Sequence, residues 1–218
     1  MKIGVFVGRN EIGGKMFSKI GHKTDFFVYD EFRSGDMALL DGSDVIFLLW
    51  WSHIISPEIL AIPSIGFVNL HPSYLPHCRG KDPYFWSIVE GVPFGLTIHF
   101  VDDGIDTGDV LFQKMIPVSL EDTGESLYRK AAELAPTFLY DKFDDIVTGN
   151  YIRKPQDLNE GSRHYKGEMD EHCERLVTDI DVLRARSFPM FDDGAKICRY
   201  GECYKVIVDI RKVENGQE

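Results

Sequence analysis

The run Asp-Val-Ile-Phe-Leu-Leu-Trp at Asp44–Trp50 restricts the fold more than any other segment, because it is apolar throughout after its first residue. A strand of this kind is covered by protein on both faces, as in parallel sheets flanked by helices. Short apolar runs alternate with helical patterns elsewhere in the chain, which predicts parallel strands joined by crossovers. The predicted strands are Lys2–Val7, Phe26–Tyr29, Asp44–Trp50, Ile65–Asn69, Leu96–Val101 and Val110–Pro117.

A long helical pattern follows the last of these strands. Apolar side chains recur at roughly helical spacing between Leu127 and Phe143, Asp122 or Thr123 can cap the start, and Gly149 can end the helix. The fold class predicted by these elements is α/β, with a Rossmann-like, doubly wound, mostly parallel sheet. We expect a catalytic domain over residues 1–150 and a C-terminal extension of helix and β-hairpin over residues 151–218.

Composition limits the classes of partner. The formal net charge is −11 and no run of Lys or Arg is present, so the electrostatic attraction that dominates nucleic-acid binding is missing. No apolar stretch reaches membrane-spanning length, so we expect a cytoplasmic protein without membrane contact. The N-terminal glycines miss the Gly-x-Gly-x-x-Gly pattern of dinucleotide sites and more plausibly serve close backbone turns.

The chain contains four cysteines, at positions 78, 173, 198 and 203. They form no Cys-x-x-Cys pair and have no paired histidine spacing, which argues against a structural metal. We therefore expect free thiols and no metal site.

Asn69 and His71 lie two residues apart at the end of a predicted strand, so their side chains share one face. The carboxylate of Asp106 follows in a later Asp-Thr-Gly turn. An amide can stabilise a developing oxyanion, an imidazole can accept a proton, and a carboxylate can orient the ring. These residues predict acyl transfer to a substrate that supplies its own amine. For any one of them alone, a turn or core role would be the better interpretation.

In doubly wound sheets, ligands bind beyond the carboxyl ends of the strands. Asn69 and the loop Asp102–Asp106 both follow predicted strands. We therefore expect the amide, the imidazole and the carboxylate to meet at that edge of the sheet.

The motif Asn69-Leu-His71-Pro-Ser73 is followed by Arg79-Gly80 and then by Asp102-Asp-Gly-Ile-Asp106-Thr-Gly108. In this order and spacing, the segment from Trp51 to Pro155 resembles the folate-dependent formyltransferases. The resemblance implies Asn69, His71 and Asp106 as catalytic residues and 10-formyltetrahydrofolate as the formyl donor. It places the folate against the loop after Trp50 and the loop Asp102–Asp106. The cofactor-binding residues predicted on this basis are Trp51, Ile54, Ile55, Asp102, Asp103 and Gly104.

The C-terminal third contains a His-x-x-x-x-x-Asp segment from His164 to Asp170 and an Arg-Ala-Arg-Ser-Phe-Pro segment from Arg184. The alternating run Lys196–Ile210 then predicts a hairpin. This tail resembles that of the nucleotide-linked sugar N-formyltransferases. It implies a dTDP-linked 4-amino-4,6-dideoxyhexose as acceptor, in making a bacterial surface polysaccharide such as O-antigen. The chain departs from that family between Tyr29 and Asp44, where little room remains for a full crossover helix.

Acceptor binding is assigned to residues near the catalytic motif and in the tail. Arginines can form bidentate hydrogen bonds with phosphate, and aromatic rings can face a base. The predicted substrate-binding residues are His77, Arg79, Gly80, Tyr84, His164, Tyr165, Arg184, Arg186 and Phe188. For each tail arginine, a solvated position on a helix surface is an equally good interpretation.

Three alternatives remain open at this stage. The hairpin either covers its own domain or pairs across a two-fold axis, and the resemblance favours a homodimer formed by the C-terminal region. The reaction could be another folate-dependent formyl transfer, or hydrolysis of the formyl-folate with water as acceptor. From a different class, the chain could be a non-catalytic module that binds folate or nucleotide.

Overall fold

The computed structural model describes residues 1–8, 10–23, 26–29, 40–175, 179–199 and 202–211. Its strands are β1 (Ile3–Val7), β2 (Phe26–Tyr29), β3 (Val45–Leu49), β4 (Gly66–His71), β5 (Arg79–Gly80), β6 (Gly95–Phe100), β7 (Val110–Met115), β8 (Arg163–His164), β9 (Ala195–Arg199) and β10 (Glu202–Val206). Its helices are α1 (Glu11–Ile20), α2 (Pro57–Leu60), α3 (Pro83–Val89), α4 (Gly124–Val147), α5 (Glu168–Arg175) and α6 (Ile180–Ala185), and a 3₁₀ turn spans Pro189–Phe191.

A six-stranded sheet in the order β2-β1-β3-β4-β6-β7 forms the centre of the molecule. Strands β2, β1, β3 and β4 are mutually parallel, which confirms the prediction of a mostly parallel α/β sheet. All of the predicted strands are present, with ends within two residues of those predicted. The connection between β2 and β3, where a short crossover was expected, passes through residues 30–39 and lies outside the described residues.

The direction of β6 differs from the expectation. It runs antiparallel to β4, with Asn69 opposite His99 and His71 opposite Thr97, and β7 is in turn antiparallel to β6. The loop Asp102–Asp106 therefore leaves the sheet at the end away from His71 and must fold back over the face to reach it. Apolar alternation in a sequence reports burial of a strand but carries no information about its direction, so the argument from shared carboxyl ends was wrong.

Alternate residues of β4 face two different layers. Val68 and Leu70 join the larger core, to which α1 and α4 also contribute. Phe67 points into a smaller cluster on the opposite face. Asn69 and His71 share the face of Phe67, so these side chains lie on the side of the sheet that is away from the two long helices.

Helix α4 matches the long helix predicted from the sequence. Thr123 caps its start: the Thr123 hydroxyl accepts a hydrogen bond from the Ser126 N–H, and the Ser126 hydroxyl accepts one from the Thr123 N–H. This reciprocal pair satisfies two of the N–H groups that a helix start leaves without partners. Gly149 follows the last turn with φ +76°, a conformation that glycine adopts without strain.

The chain after α4 returns to the catalytic half of the molecule. Lys154 bridges to Val110 at the start of β7. Further on, β8 pairs in parallel with β5, so that Arg163 lies opposite Arg79 and His164 opposite Gly80. The residues after 150 thus form part of the surroundings of the Arg79-Gly80 motif.

Strands β9 and β10 form the predicted antiparallel hairpin, whose turn at residues 200–201 lies outside the described residues. Cys203 stands opposite Cys198 in this register and is disulfide-bonded. The expectation of free thiols is therefore wrong for Cys203, whereas Cys78 is a buried free thiol. Spacing in a sequence does not reveal that two cysteines meet across a hairpin.

Among the helices of the described residues, none is both long enough and apolar enough to cross a membrane.

Candidate active site

A cavity of about 580 Å³ opens beside the end of β4. It brings together Asn69, His71 and Asp106, every residue of the predicted folate wall, and three of the predicted acceptor residues. These further residues are Trp51, Ile54, Ile55, Asp102, Asp103, Gly104, Gly80, His164 and Tyr165. Side chains separated by more than a hundred positions in sequence thus converge on one space, which is the geometry expected of a ligand site.

A row of four polar side chains lies on the face of the sheet that carries the site. On β4, Asn69 and His71 face the same side; on β6, Thr97 and His99 lie directly opposite them. Their neighbours in each strand point into the apolar core. The alternation Leu-Thr-Ile-His-Phe in β6 carried this signal, because it places Thr97 and His99 on the polar face. His99 was missed by the sequence reasoning, which followed only the motif residues.

The hydrogen-bond partner of His71 defines its tautomer. The ring is buried, and its Nε2 lies 3.2 Å from the carbonyl oxygen of Cys78. Since a carbonyl can only accept, Nε2 carries the hydrogen and donates it. In the neutral ring Nδ1 is then left with a lone pair, 3.4 Å from Oδ2 of Asp106. Nδ1 is therefore the atom of His71 that can accept a proton.

Burial lowers the pKa of His71, while the negative charge of Asp106 opposes this shift and the neighbouring His99 adds to it. At neutral pH the lowered pKa leaves the ring uncharged, as a general base requires. A proton taken up on Nδ1 would lie next to a carboxylate, which stabilises the charged ring once it forms.

Asp106 is held in place from several sides. Its Oδ2 accepts a hydrogen bond of 2.9 Å from the Gly80 N–H, and its Oδ1 lies 3.5 Å from His99 Nε2. Burial acts to raise the pKa of Asp106, but the charge of the protonated His71 ring and the hydrogen bond from the Gly80 N–H act against it, and the pKa is lowered. The carboxylate is therefore ionised. Its backbone has φ +51°, a left-handed conformation that costs energy outside glycine and is common at functional sites.

The amide of Asn69 is oriented by His99. The Nδ1–H of His99 donates to the carbonyl oxygen of Phe100 at 2.7 Å, so its Nε2 is an acceptor in the neutral ring. The Nδ2 of Asn69 lies 3.4 Å from that acceptor. An amide has two N–H donors, and using one of them in this way fixes the plane of the group. The other remains to donate into the cavity that Asn69 lines.

Two further positions support the loop that carries Asp106. Gly80 has φ +88°, and a Cβ atom there would lie 2.2 Å from the carbonyl oxygen of His164, so only glycine fits. Gln156 donates from Nε2 to the carbonyl oxygens of Asp106, at 3.0 Å, and Gly108, at 2.7 Å. Gln156 was also missed by the sequence reasoning, because a lone glutamine after a helix has no distinguishing pattern.

The predicted folate wall has the character of a site for a flat ring with amide edges. Ile55 is buried in the smaller apolar cluster, against which Trp51 packs, whereas the Ile54 side chain is 88% exposed at the cavity. The Trp51 Nε1 is buried and has no hydrogen-bond partner among the described residues. On the other wall, Oδ1 of Asp102 accepts from the Gly104 N–H and from the Thr107 hydroxyl, which shapes the loop. Apolar surface with a few polar groups at its edge fits a pterin ring.

Two predicted phosphate-binding arginines have other partners in the structure. The buried guanidinium of Arg79 donates to the carbonyl oxygens of Leu158, Glu160 and Ser162. Arg184 is also buried and donates to the carbonyl oxygens of Ser119, Leu120 and Asp122, as well as to Asp181. A buried guanidinium must have its donors satisfied, and here the chain's own carbonyls do so. The structure thus gives both arginines an internal role, in place of the predicted phosphate contact.

The other predicted acceptor residues are not among the described residues that line this cavity. Arg186 is paired with Asp170 and Asp193 and lines a second cavity next to the hairpin. The ring of Phe188 stacks on Phe191 and covers Gly124, so it is a packing residue instead of the predicted free ring face.

Tyr84 and His77 are the last two of the predicted acceptor-binding residues. The Tyr84 ring packs edge-on against Phe94 and Tyr128, and burial raises the pKa of its hydroxyl. The Nδ1 of His77 is buried without a hydrogen-bond partner among the described residues. Acceptor contacts by these two residues stay predictions.

Within the part of the chain that the structure describes, no cluster of three His, Cys, Asp or Glu side chains is arranged to hold a metal ion.

Comparison with known proteins agrees with this fold. The formyl transferase family model matches residues 33–142, which include the motif residues Asn69, His71 and Asp106. The chain belongs to the formyl transferase family. This match confirms the resemblance of the chain's motifs to the folate-dependent formyltransferases.

Among curated proteins, the methionyl-tRNA formyltransferase of Ruminiclostridium cellulolyticum is 36% identical over 117 residues, which cover 53% of this chain and 38% of that protein. The chain spans between about a third and about half of the length of the curated methionyl-tRNA formyltransferases that it matches.

Among solved structures, a sugar N-formyltransferase from a Shewanella species superposes with a TM-score of 0.85 at 22% identity, covering 98% of this chain and 100% of that one. The formyltransferase PseJ from Anoxybacillus kamchatkensis has a TM-score of 0.70 and 26% identity, covering 84% of this chain and 95% of its own. PseJ was solved with UDP-4,6-dideoxy-4-formamido-L-AltNAc and tetrahydrofolate. The first likeness, at its low identity, concerns the fold alone.

Proposed function

We propose that this chain is an N-formyltransferase that moves the formyl group of 10-formyltetrahydrofolate to the amine of a nucleotide-linked aminosugar. The observation that carries the proposal is the single cavity in which Asn69, His71 and Asp106 face a wall suited to a pterin ring. A dTDP-linked 4-amino-4,6-dideoxyhexose in a surface polysaccharide pathway is the acceptor that the tail motifs suggest.

Asn69 has the role of oxyanion stabiliser. The bound formyl-folate supplies an electrophilic carbonyl, and negative charge develops on its oxygen when the amine attacks. The N–H of Asn69 that is not directed at His99 is available to donate to that oxygen. Because His99 fixes the amide beforehand, little reorganisation is needed when the charge appears.

His71 has the role of general base. The neutral ring accepts the amine proton on Nδ1, the atom that faces Asp106. Asp106 stabilises the resulting imidazolium and remains ionised itself, since its pKa is lowered by the charge of His71 and by the Gly80 N–H in spite of burial. No serine or cysteine nucleophile is required, because the acceptor brings its own amine.

The sugar acceptor is favoured by several features together. PseJ has a nucleotide-linked formamido sugar and a folate in its structure, and the Shewanella sugar N-formyltransferase matches this chain over nearly its whole length. Methionyl-tRNA is the second candidate, favoured by the 36% identity to a methionyl-tRNA formyltransferase. A net charge of −11 opposes it, because tRNA binding depends on neutralising phosphates with Lys and Arg.

The acceptor is expected to enter along the segment Gly80–Asp82 and β8. Tyr165 is 44% exposed and lines the catalytic cavity together with Lys81 and Lys166. Burial raises the pKa of Asp82, and the charges of Lys81, Asp170 and Arg186 also act on it. Lys81 lines the catalytic cavity and Arg186 lines the second cavity, so charges from both cavities act on Asp82. Cationic and aromatic groups here suit a nucleoside diphosphate.

Incubation of the protein with formyl-folate and aminosugar nucleotides, with formyl-folate and methionyl-tRNA, and with formyl-folate alone tests the proposal. We expect formyl transfer from 10-formyltetrahydrofolate to one of a panel of aminosugar nucleotides, detected by mass spectrometry as the formamido product, and none to methionyl-tRNA. Formylation of methionyl-tRNA alone would establish the second candidate. Release of formate without any acceptor would identify a hydrolase, and folate binding without turnover would identify a binding module.

Substitutions in the rim test where the acceptor binds. Tyr165→Ala and Lys166→Ala are expected to raise the KM for the aminosugar nucleotide about tenfold and to leave the KM for formyl-folate unchanged, since only uniform binding of one substrate is lost. Lys154→Ala, an exposed lysine on the same stretch of chain but outside the cavity wall, is the matched control. Unchanged KM values for every nucleotide sugar in both rim variants would place the acceptor elsewhere.

The pH profile tests the state of His71. Burial lowers the pKa of the ring, and the base must be neutral to act, so activity is lost only when the pH falls below that pKa. We expect the acid limb of kcat/KM to lie below about 6.5, the usual histidine value. In Asp106→Asn the negative charge that opposes the effect of burial on the His71 pKa is absent. The pKa should therefore fall further, and the acid limb should move to lower pH. An acid limb above the usual value, or one that Asp106→Asn moves towards neutral pH, would contradict this assignment.

A further inference from the structure

A network of buried and half-buried polar groups lies behind the catalytic imidazole. It is centred on Glu90, the residue that follows α3. Its Oε1 accepts a hydrogen bond of 2.7 Å from Nε2 of His164, and its Oε2 accepts one of 2.6 Å from the hydroxyl of Ser162. Neither Glu90 nor Ser162 belongs to the motifs or lines the catalytic cavity.

The network continues to His71 without a break. The Ser162 hydroxyl oxygen accepts a hydrogen bond of 3.1 Å from the backbone N–H of Cys78. The carbonyl of Cys78 accepts the hydrogen of His71 Nε2 at 3.2 Å. Glu90 therefore acts on the same residue, Cys78, whose carbonyl sets the tautomer of the proposed base. Two residues, Ser162 and Cys78, therefore separate Glu90 from His71.

The conformation of Cys78 makes this support necessary. Its φ is +52°, a left-handed value that costs a residue with a Cβ atom energy and persists only when the surroundings enforce it. The thiol is buried, and burial together with the Glu90 carboxylate raises the pKa of the thiol, so the side chain is neutral. The Cys78 N–H is held by Ser162 and the thiol lies 3.8 Å from Glu90 Oε2. Both contacts lead to the same carboxylate.

We infer that Glu90 is a positioning residue for the catalytic base: through Ser162 and Cys78 it holds the carbonyl that keeps His71 in the Nε2–H tautomer. This inference rests on the proposed function for its kinetic consequence, but the tautomer itself is a property of the free protein. The other charged groups that act on His71 are Asp106, His99 and Lys81, and Glu90 is not one of them.

Glutamine at position 90 would weaken the network in a defined way. Glu90 offers two acceptor oxygens to two donors, and hydrogen bonds from His164 and Ser162 outweigh burial and lower its pKa, so it is ionised. A glutamine offers one acceptor and one NH₂ group. The carboxylate charge is lost, so the hydrogen bonds with His164 and Ser162 become neutral and weaker, and the hold on Ser162 and Cys78 is weakened. Ser162→Ala removes the next link and should act in the same direction.

Glu168→Gln is the matched control. Glu168 contacts the same histidine, His164, through Nδ1 at 3.2 Å, but it lies on the far side of the ring from Glu90. The substitution removes one carboxylate charge, as Glu90→Gln does, and leaves the links from Glu90 to Cys78 intact. It is expected to behave as the wild type.

The test combines nitrogen NMR of the histidine rings with steady-state kinetics. The His71 signals are assigned by their loss in His71→Gln. We expect the Nε2–H tautomer in the wild type and in Glu168→Gln, and a mixture of tautomers in Glu90→Gln and Ser162→Ala. In these two variants kcat should fall about three- to tenfold, the scale of one weakened hydrogen bond, with both KM values unchanged. A merely structural role of Glu90 would lower the melting temperature without changing the tautomer.

Each outcome decides the inference. A wild-type tautomer of His71 in folded Glu90→Gln would overturn it, and so would a wild-type tautomer in Ser162→Ala if Glu90→Gln does not fold. If the wild-type protein transfers no formyl group to any acceptor, the proposed function fails, while the NMR comparison still settles whether Glu90 controls the ring. A shift of tautomer in Glu168→Gln equal to that in Glu90→Gln would show an effect of charge alone and would also overturn it.

Discussion

Replacing His71 by alanine is expected to lower kcat by about 10²–10⁴, the range found when a general base is removed. The amine proton then has no neutral acceptor beside Asp106, whereas the folate wall and the acceptor rim are untouched. The KM values should therefore stay close to those of the wild type. The measurement is steady-state formation of the formamido product at saturating substrates.

His22→Ala is a suitable control for this experiment, because His22 is exposed after α1 and contacts the ring of Tyr140, away from the cavity wall. It should retain wild-type turnover. Near-native kcat in folded His71→Ala would show that another group takes the proton, and the general-base role of His71 would have to be abandoned.

Replacing Asn69 by alanine is expected to lower kcat by about 10²–10³, the scale for losing one oxyanion donor. Asn69→Asp sharpens the test, since it keeps the shape of the side chain but replaces the N–H donor by a carboxylate oxygen. It should be at least as impaired as Asn69→Ala, because a negative charge would then face the developing oxyanion. Rates of product formation at saturating substrate, with the melting temperature of each variant, provide the measurement.

Asn150→Ala, at an exposed asparagine just after α4, is the control for the loss of an amide. If Asn69→Asp turned over faster than Asn69→Ala, stabilisation of negative charge by the amide could not be the role of Asn69.

Period-two patterns in the sequence were sufficient to predict the strands and the shared face of Asn69 and His71. The pattern Val-Asn-Leu-His repeats the alternation of apolar and polar residues, and the structure places Val68 and Leu70 in the larger core as that alternation requires. The position of Trp51–Ile55 beside the cavity was predictable for a related reason, because the segment directly follows a strand buried on both faces.

The parts that escaped prediction depend on long-range partners. Arg79 and Arg184 look in the sequence like phosphate ligands, but carbonyl groups of residues 158–162 and 119–122 satisfy their donors. Whether an arginine faces solvent or a carbonyl is decided by tertiary packing, which periodicity does not encode. His99 differs, because its place on the polar face of β6 was visible in the alternation of that strand.

The direction of β6 could not be predicted from its composition either. This direction determines the path by which the chain brings the Asp106 carboxylate to His71. Asp106 reaches His71 only because its loop turns back over the sheet, supported by the Gly80 N–H and by Gln156. Those supports come from segments about twenty-five and fifty positions away. A left-handed backbone at Asp106 is likewise a result of this support and has no local sequence signature.

The return of the chain after α4 restricts how this scaffold could be recombined. Gln156 holds the Asp106 loop, and β8 pairs with the Arg79-Gly80 motif. A graft that joined a foreign tail directly to the end of α4 would discard both. A natural or engineered exchange of the tail must therefore join the two sequences beyond His164. A junction before that residue must supply equivalents of Gln156 and β8. In this molecule the supports of the Asp106 loop and of the Arg79-Gly80 motif continue beyond the end of the long helix.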